Sequence, residues 1–158
     1  MAQIAMAELD QHPELDVLPH WPKETVAVLV TQDEAGDPHA IPVSWPVRAD
    51  DHRILISLRH NRGSLARLRQ RPRVALVIVG GGDVALCARG TARVIKEELE
   101  PDGEYAGVEI TAEAIDDHRQ GAFAVADGIR RTVLDRSELV ALEDRVTQLT
   151  KIASDLRY

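Results

Sequence analysis

Apolar residues recur at every second position through much of the first 95 residues, the spacing of strands buried on one face. Residues 25–31 (Thr-Val-Ala-Val-Leu-Val-Thr) form the first such run, closed by a Gly-containing turn at 32–37. Residues 38–48 continue as a second strand. Pro42 and Pro46 within it cannot donate ladder hydrogen bonds, which predicts an edge or bulged position. After a turn at 49–52, residues 53–59 alternate again. The period then changes at 63–71, where Leu65 and Leu68 make one apolar stripe among Arg67, Arg69 and Arg71, so a short helix is expected, stopped by Pro72. Residues 73–79 are the most hydrophobic strand, and the turn at 80–83 leads into another at 84–95. Five strands in hairpin order with one inserted helix predict a small antiparallel barrel rather than a parallel sheet.

The remainder is less regular. Residues 106–112 alternate as a sixth strand, and 131–134 read as a short additional one. Ser137 suits a helix N-cap, and Leu139, Leu142, Val146, Leu149, Ala153 and Leu156 keep three-four spacing, so a helix is expected over 137–156. That stripe packs on its own barrel or lies in a subunit interface. Residues 1–23 read as a polar arm, with a helical turn or two near 4–9 and three prolines against a longer helix.

Composition narrows the function classes. With 158 residues the chain suits one domain. No apolar run reaches the roughly 20 residues of a membrane helix, and the start lacks a signal-peptide pattern, so a cytoplasmic protein without membrane association is expected. The single Cys87 excludes an internal disulfide and makes a thiolate zinc site improbable. Aromatics at 3% argue against a base-stacking platform for single-stranded nucleic acid. The six histidines show no ligand spacing, and no metal is expected. There is likewise no nucleophile elbow or Walker phosphate loop. Asp116, Asp117 and His118 read as a solvated loop before a cation site. Cys87, mid-strand without a neighbouring base, reads as structural. Any catalysis therefore falls to a cofactor.

The net charge of −7 conceals an asymmetry: residues 1–52 carry −8, residues 53–93 carry +8 from nine Arg and one Asp, and residues 94–158 carry −7. Part of the basic island, Arg59-His60-Asn61-Arg62-Gly63-Ser64, joins a strand end to a helix start, where free backbone N–H groups and the helix dipole favour an anion. Arg59 and Arg62 can fork onto phosphate oxygens, Asn61 and Ser64 offer hydrogen bonds, and Arg67 stands one turn further on. A solvated Arg-rich helix face would give the same composition.

The order of strand, turn, "Pro-His-Ala-Ile-Pro-Val-Ser-Trp", turn, "Ile-Leu-Ile-Ser-Leu-Arg", helix and "Arg-Pro-Arg-Val-Ala-Leu-Val-Ile" resembles the pyridoxamine-phosphate-oxidase-like split-barrel flavoproteins over about residues 24–95. The resemblance implies a mainly β fold with peripheral helices: a six-stranded antiparallel split β-barrel of Greek-key type, its core at 24–115, plus the C-terminal helix, as one domain over 1–158. It also implies a homodimer with FMN, or a deazaflavin, in clefts at the subunit interface. Ser57, Leu58 and Arg59 would then line the ring and ribityl chain, with His60 at the pocket mouth. Arg62, Ser64 and Arg67 would face the phosphate, and Val43, Ser44 and Trp45 would flank the ring. Many relatives carry a basic residue at the position of Ser64, a role left here to Arg62 or Arg67. The family's C-terminal Arg-x-His signature is absent, so the resemblance does not extend to the vitamin-phosphate oxidase itself. The expected activity is hydride transfer between the cofactor and an unidentified small molecule, with His60 as the candidate proton donor. A non-catalytic flavin- or haem-binding protein, or an electrostatic partner-binding module, are the alternatives.

Overall fold

The computed structural model describes residues 13–156. The helical turns expected near 4–9 lie outside them. Seven strands and two helices follow one another as β1 (Val26–Gln32), β2 (Pro38–Ser44), β3 (Val47–Arg48), β4 (Arg53–Arg59), α1 (Gly63–Gln70), β5 (Arg73–Gly80), β6 (Val84–Leu99), β7 (Tyr105–Asp117) and α2 (Arg136–Asp155). The strands form one antiparallel sheet in the order β2-β1-β5-β6-β7-β4-β3, which curls without closing.

The seventh strand comes from dividing the single strand expected over 38–48. Trp45 sits at φ 52°, a left-handed backbone that a bulky side chain rarely adopts, and it breaks the run before Pro46. The two halves then separate to opposite edges of the sheet: β2 pairs only with β1, and β3 only with β4. An edge position is what Pro42 requires, since its missing N–H falls on the unpaired side or on no ladder bond.

The alternation of β1, β5 and the first part of β6 follows from one-sided burial. Ala27, Leu29, Leu76, Ile78, Leu86 and Ala88 point into the main core, joined by Leu65 and Leu68 of α1. β4 and β7 differ because both of their faces are covered. Ile54, Ile56 and Leu58 face the core, whereas Leu55 turns outward to a second cluster with Ala49, Leu99, Leu149 and Ala153. The apolar stripe of α2 therefore packs on its own sheet, and Leu142 and Val146 extend that contact onto the Trp45 ring. Gly107 leaves room for it, since a Cβ there would lie 3.4 Å from Leu149 Cδ2.

Three local expectations are corrected. Residues 131–134 carry no strand: they are exposed and belong to an irregular strap (118–135). The strap is held where Asp83 N donates to Val125 O at 3.0 Å and Val125 N donates back to Asp83 Oδ1 at 2.9 Å. The α2 N-cap is Asp135, whose carboxylate accepts from Ser137 N at 2.9 Å and from Ser137 Oγ at 2.6 Å, so Ser137 lies inside the first turn. The described part of the arm is not wholly polar: Leu18 is fully buried in the main core, with Leu15 and Trp21 against it.

β6 bends at Gly90, where its register against β7 shifts. A Cβ at Gly90 would come within 1.8 Å of the Thr111 carbonyl oxygen. Gly90→Ala is therefore expected to destabilise the fold by about 3 kcal/mol through forced backbone separation, read as a lower urea midpoint. Gly121→Ala, where nothing lies within 4 Å, is expected to stay within about 0.5 kcal/mol.

Candidate cofactor site

β4 ends at Arg59, and a three-residue turn delivers the chain into α1. His60 N donates to Glu104 O at 3.0 Å, which ties that turn to the start of β7, and Arg62 N donates to Arg59 O at 3.2 Å. Arg62 is the N-cap of α1, with extended backbone and no side-chain hydrogen bond closing the helix end. No acidic residue stands in the first turn. The leading N–H groups of α1 therefore keep their capacity to donate, at the positive end of the helix dipole.

Two side chains converge there. Ser64 is only 1% exposed, yet its Oγ has no hydrogen-bond partner. Arg67 folds back along the helix: its Nε donates to Thr31 Oγ1 at 2.8 Å, and its Nη1 lies 2.4 Å from where a Cβ on residue 63 would stand. Only glycine at 63 lets the guanidinium lie across the helix start. The uncapped N–H groups, the unpartnered Ser64 hydroxyl and the Arg67 guanidinium, of which only Nε is taken by Thr31, make a donor set that a phosphate group fits.

The fate of the basic island supports this. Six of its nine arginines meet carboxylates: Arg53 with Asp50, Arg59 with Glu104, Arg69 with Glu97, Arg73 with Glu113, Arg89 with Asp116 and Arg93 with Glu109. Among the described residues, Arg62, Arg67 and Arg71 have no such ion pair. Arg71 is the C-cap of α1, where a cation suits the dipole; the other two flank the N-terminus.

The sequence matches the pyridoxamine 5'-phosphate oxidase family over residues 16–134. The chain belongs to this family. Solved structures similar in fold include HupZ from Group A Streptococcus (17% identity, TM-score 0.52, 65% of this chain and 90% of that one). An F420 reductase is similar at 15% identity and TM-score 0.51, over 61% of this chain and 92% of that one. A pyridoxamine 5'-phosphate oxidase-like protein from Listeria innocua is similar at 17% identity and TM-score 0.50, over 60% and 89%. No curated protein matches the sequence.

Within this family member, the residues singled out from the sequence fall into three groups. Arg59, His60, Asn61, Arg62, Ser64 and Arg67 gather at the β4–α1 junction, with His60, Asn61 and Arg62 exposed. Arg59 engages Glu104 Oε2 at 2.9 Å and stands 5.7 Å from the Tyr105 ring centre. The Glu104 hydrogen bond, then Tyr105, hold its guanidinium above the ordinary arginine value. Val43 and Leu58 are buried in the main core, and Ser57 is buried opposite Gly107. Ser44 and Trp45 line a cavity of about 880 Å³ between the end of β2, the strap and α2. Tyr105 joins the two regions, since it lines that cavity and also lies under Arg59.

Thr31, Glu104, Tyr105 and Arg145 went unnoticed in the sequence. Thr31 and Glu104 give no local signal, because their partners lie 36 and 45 positions away. Arg145 does give one: it falls between Leu142 and Val146 on the apolar stripe of α2.

Among the described residues no cluster of His, Cys, Asp and Glu could hold a metal ion, and no helix is long and apolar enough to cross a membrane. Asp116 is buried and bound by Arg89 through Nε at 2.7 Å and Nη2 at 3.1 Å. Cys87 is half-buried, and burial, then the Asp116 charge, push its thiol pKa up, the reverse of nucleophile activation. Its reaction with a thiol reagent at neutral pH is expected to be roughly tenfold or more slower than that of free cysteine, with unfolding in urea restoring the full rate.

Proposed function

We propose that the protein is a flavin-dependent oxidoreductase, exchanging a hydride between FMN and a small molecule. Deazaflavin is the alternative cofactor of the same chemistry, prompted by the F420 reductase of similar fold. The observation that carries the reading is the α1 N-terminus, where the uncapped N–H groups and the unpartnered Ser64 Oγ lie beside an Arg67 guanidinium held by Thr31, a set of donors that a cofactor phosphate suits. A bound flavin or deazaflavin supplies the hydride chemistry itself.

The chain's own part is to hold, orient and shield. Arg62 and Arg67 neutralise phosphate charge, and Thr31 fixes the Arg67 side chain through its Oγ1. Ser44 and Trp45, at the wall of the large cavity, take the flanking places that the family resemblance gives them. His60 is exposed in the β4–α1 turn, open to solvent protons, and is the candidate donor. A homodimer with the cofactor at its interface completes the proposal, and the compartment is taken to be the cytoplasm. Leu134 is 95% and Phe123 75% exposed, more bare apolar surface on one strap than a monomer needs to show, and this favours a second copy as its cover.

An absorption spectrum tests the cofactor. Purified protein, or protein reconstituted with FMN or deazaflavin, should keep a visible flavin-type band through gel filtration. A chain that stays colourless with both overturns the reading, and a Soret band moves it to haem. Arg67→Ala should weaken FMN roughly tenfold to a hundredfold, the worth of one charge-assisted hydrogen bond, and leave riboflavin unchanged; equal losses exclude the phosphate role. By light scattering the chain should have the mass of a dimer, and Leu134→Glu should shift it toward monomer.

A further inference from the structure

Arg145 is the charge that the fold leaves unexplained. It sits on the inward stripe of α2 between Leu142 and Val146, and only 4% of it is exposed. Its Nε and Nη1 are sealed from solvent and meet no hydrogen-bond acceptor. The contact it does make is with the face of Tyr105, 3.7 Å from guanidinium carbon to ring centre. A guanidinium cannot shed its proton to ease burial, and one aromatic face replaces only part of the lost hydration. Such a group is expected where a ligand completes its surroundings.

The surroundings fit an organic anion. Arg145 and Tyr105 line the cavity of about 880 Å³, a volume within the usual range for small-molecule sites. Trp45 and Leu142 form apolar wall, and Ile129 and Val133 of the strap also line it. Acidic residues also line the opening: Glu24, Asp127, Asp135, Glu138 and Glu143. All five are exposed, and Asp127 and Asp135 are already engaged by Arg130 and by the α2 cap. Arg145 is therefore the buried charge among the described residues of the cavity wall. The strained backbone of Trp45, φ 52°, stands at the same wall, and strain of this kind gathers at ligand sites.

We propose that this cavity binds a small carboxylate with an apolar body, the anion paired to Arg145 and the body held between Trp45, Leu142 and the strap. A carboxylate is favoured over a phosphate because a single buried cation matches one negative charge; Arg130 and Arg131, which also line the opening, are exposed. The assignment is separate from the α1 phosphate site, and neither depends on the other. If the cofactor reading also holds, the carboxylate is the substrate, held beside the residues assigned to the ring.

The test is calorimetric titration of the full chain, without added cofactor, with carboxylate and amide pairs of matched shape: benzoate and benzamide, indole-3-acetate and indole-3-acetamide, hexanoate and hexanamide. At least one carboxylate should bind tenfold or more tighter than its amide, with quenching of tryptophan fluorescence. Arg145→Met should abolish that preference while leaving the melting temperature of the ligand-free protein equal or higher, because an uncompensated buried charge is removed. Arg145→Lys should keep a weakened preference. The proposal is overturned if no carboxylate outbinds its amide, or if Arg145→Met retains the preference. It is equally overturned if Arg145→Met lowers the melting temperature or fails to fold, which would make the Tyr105 contact structural. Since no flavin is present, a failure here leaves the cofactor reading untouched, and a colourless protein leaves this one untouched.

Discussion

Burial of the β4–β7 pair on both faces is the constraint from which the rest of the molecule follows. The inner side chains Ile54, Ile56, Val108 and Ile110 complete the barrel core, while Leu55 and Gly107 look outward and require a cover. α2 provides it through Leu149 and Ala153. At roughly 25 cal/mol per Å² of apolar surface removed from water, a helix stripe of this size is a substantial share of a marginal folding free energy. With α2 fixed there, its N-terminal half is carried across Trp45, and the cavity forms where helix, strap and the end of β2 fail to meet.

The same strand pair sets the chemistry at its ends. β4 runs straight from the double-sided layer into the turn that opens α1, so the helix N-terminus is held by the most deeply packed strand. Tyr105, the first residue of β7, stands directly opposite Arg59. It receives one guanidinium from the β4 end and another from α2. Two regions, the helix start and the cavity beneath α2, are thereby linked through one aromatic ring. Loops on such a layer gain positional precision from a scaffold that cannot easily shift.

Specificity of charge arises by subtraction. The fold places six arginines of the basic island opposite carboxylates on neighbouring strands or loops, and the three pairs made by Arg59, Arg69 and Arg73 are exposed and of small individual worth. With those charges matched locally, Arg62 and Arg67 stand at the α1 N-terminus without a carboxylate partner among the described residues, and Arg145 is buried on α2. A molecule with net charge −7 thus keeps cations at two confined places, one polar and one beneath a helix.

The sequence by itself determined the strands, because burial on one face writes period two into the chain, and it determined α1 and the stripe of α2 for the corresponding reason at three-four spacing. The Arg-rich junction before α1 was visible as composition and helix-start chemistry. Only the tertiary structure decided which of those arginines find no carboxylate among the described residues, since Glu104, Glu113 and Glu109 meet the others through strand register and packing, across 45, 40 and 16 positions. It likewise decided that the strand over 38–48 divides at Trp45 between two sheet edges, and that residues 131–134 remain a strap. Local pattern encodes what a segment can be. Which edge it joins, and which charge it meets, depend on partners distant in the chain.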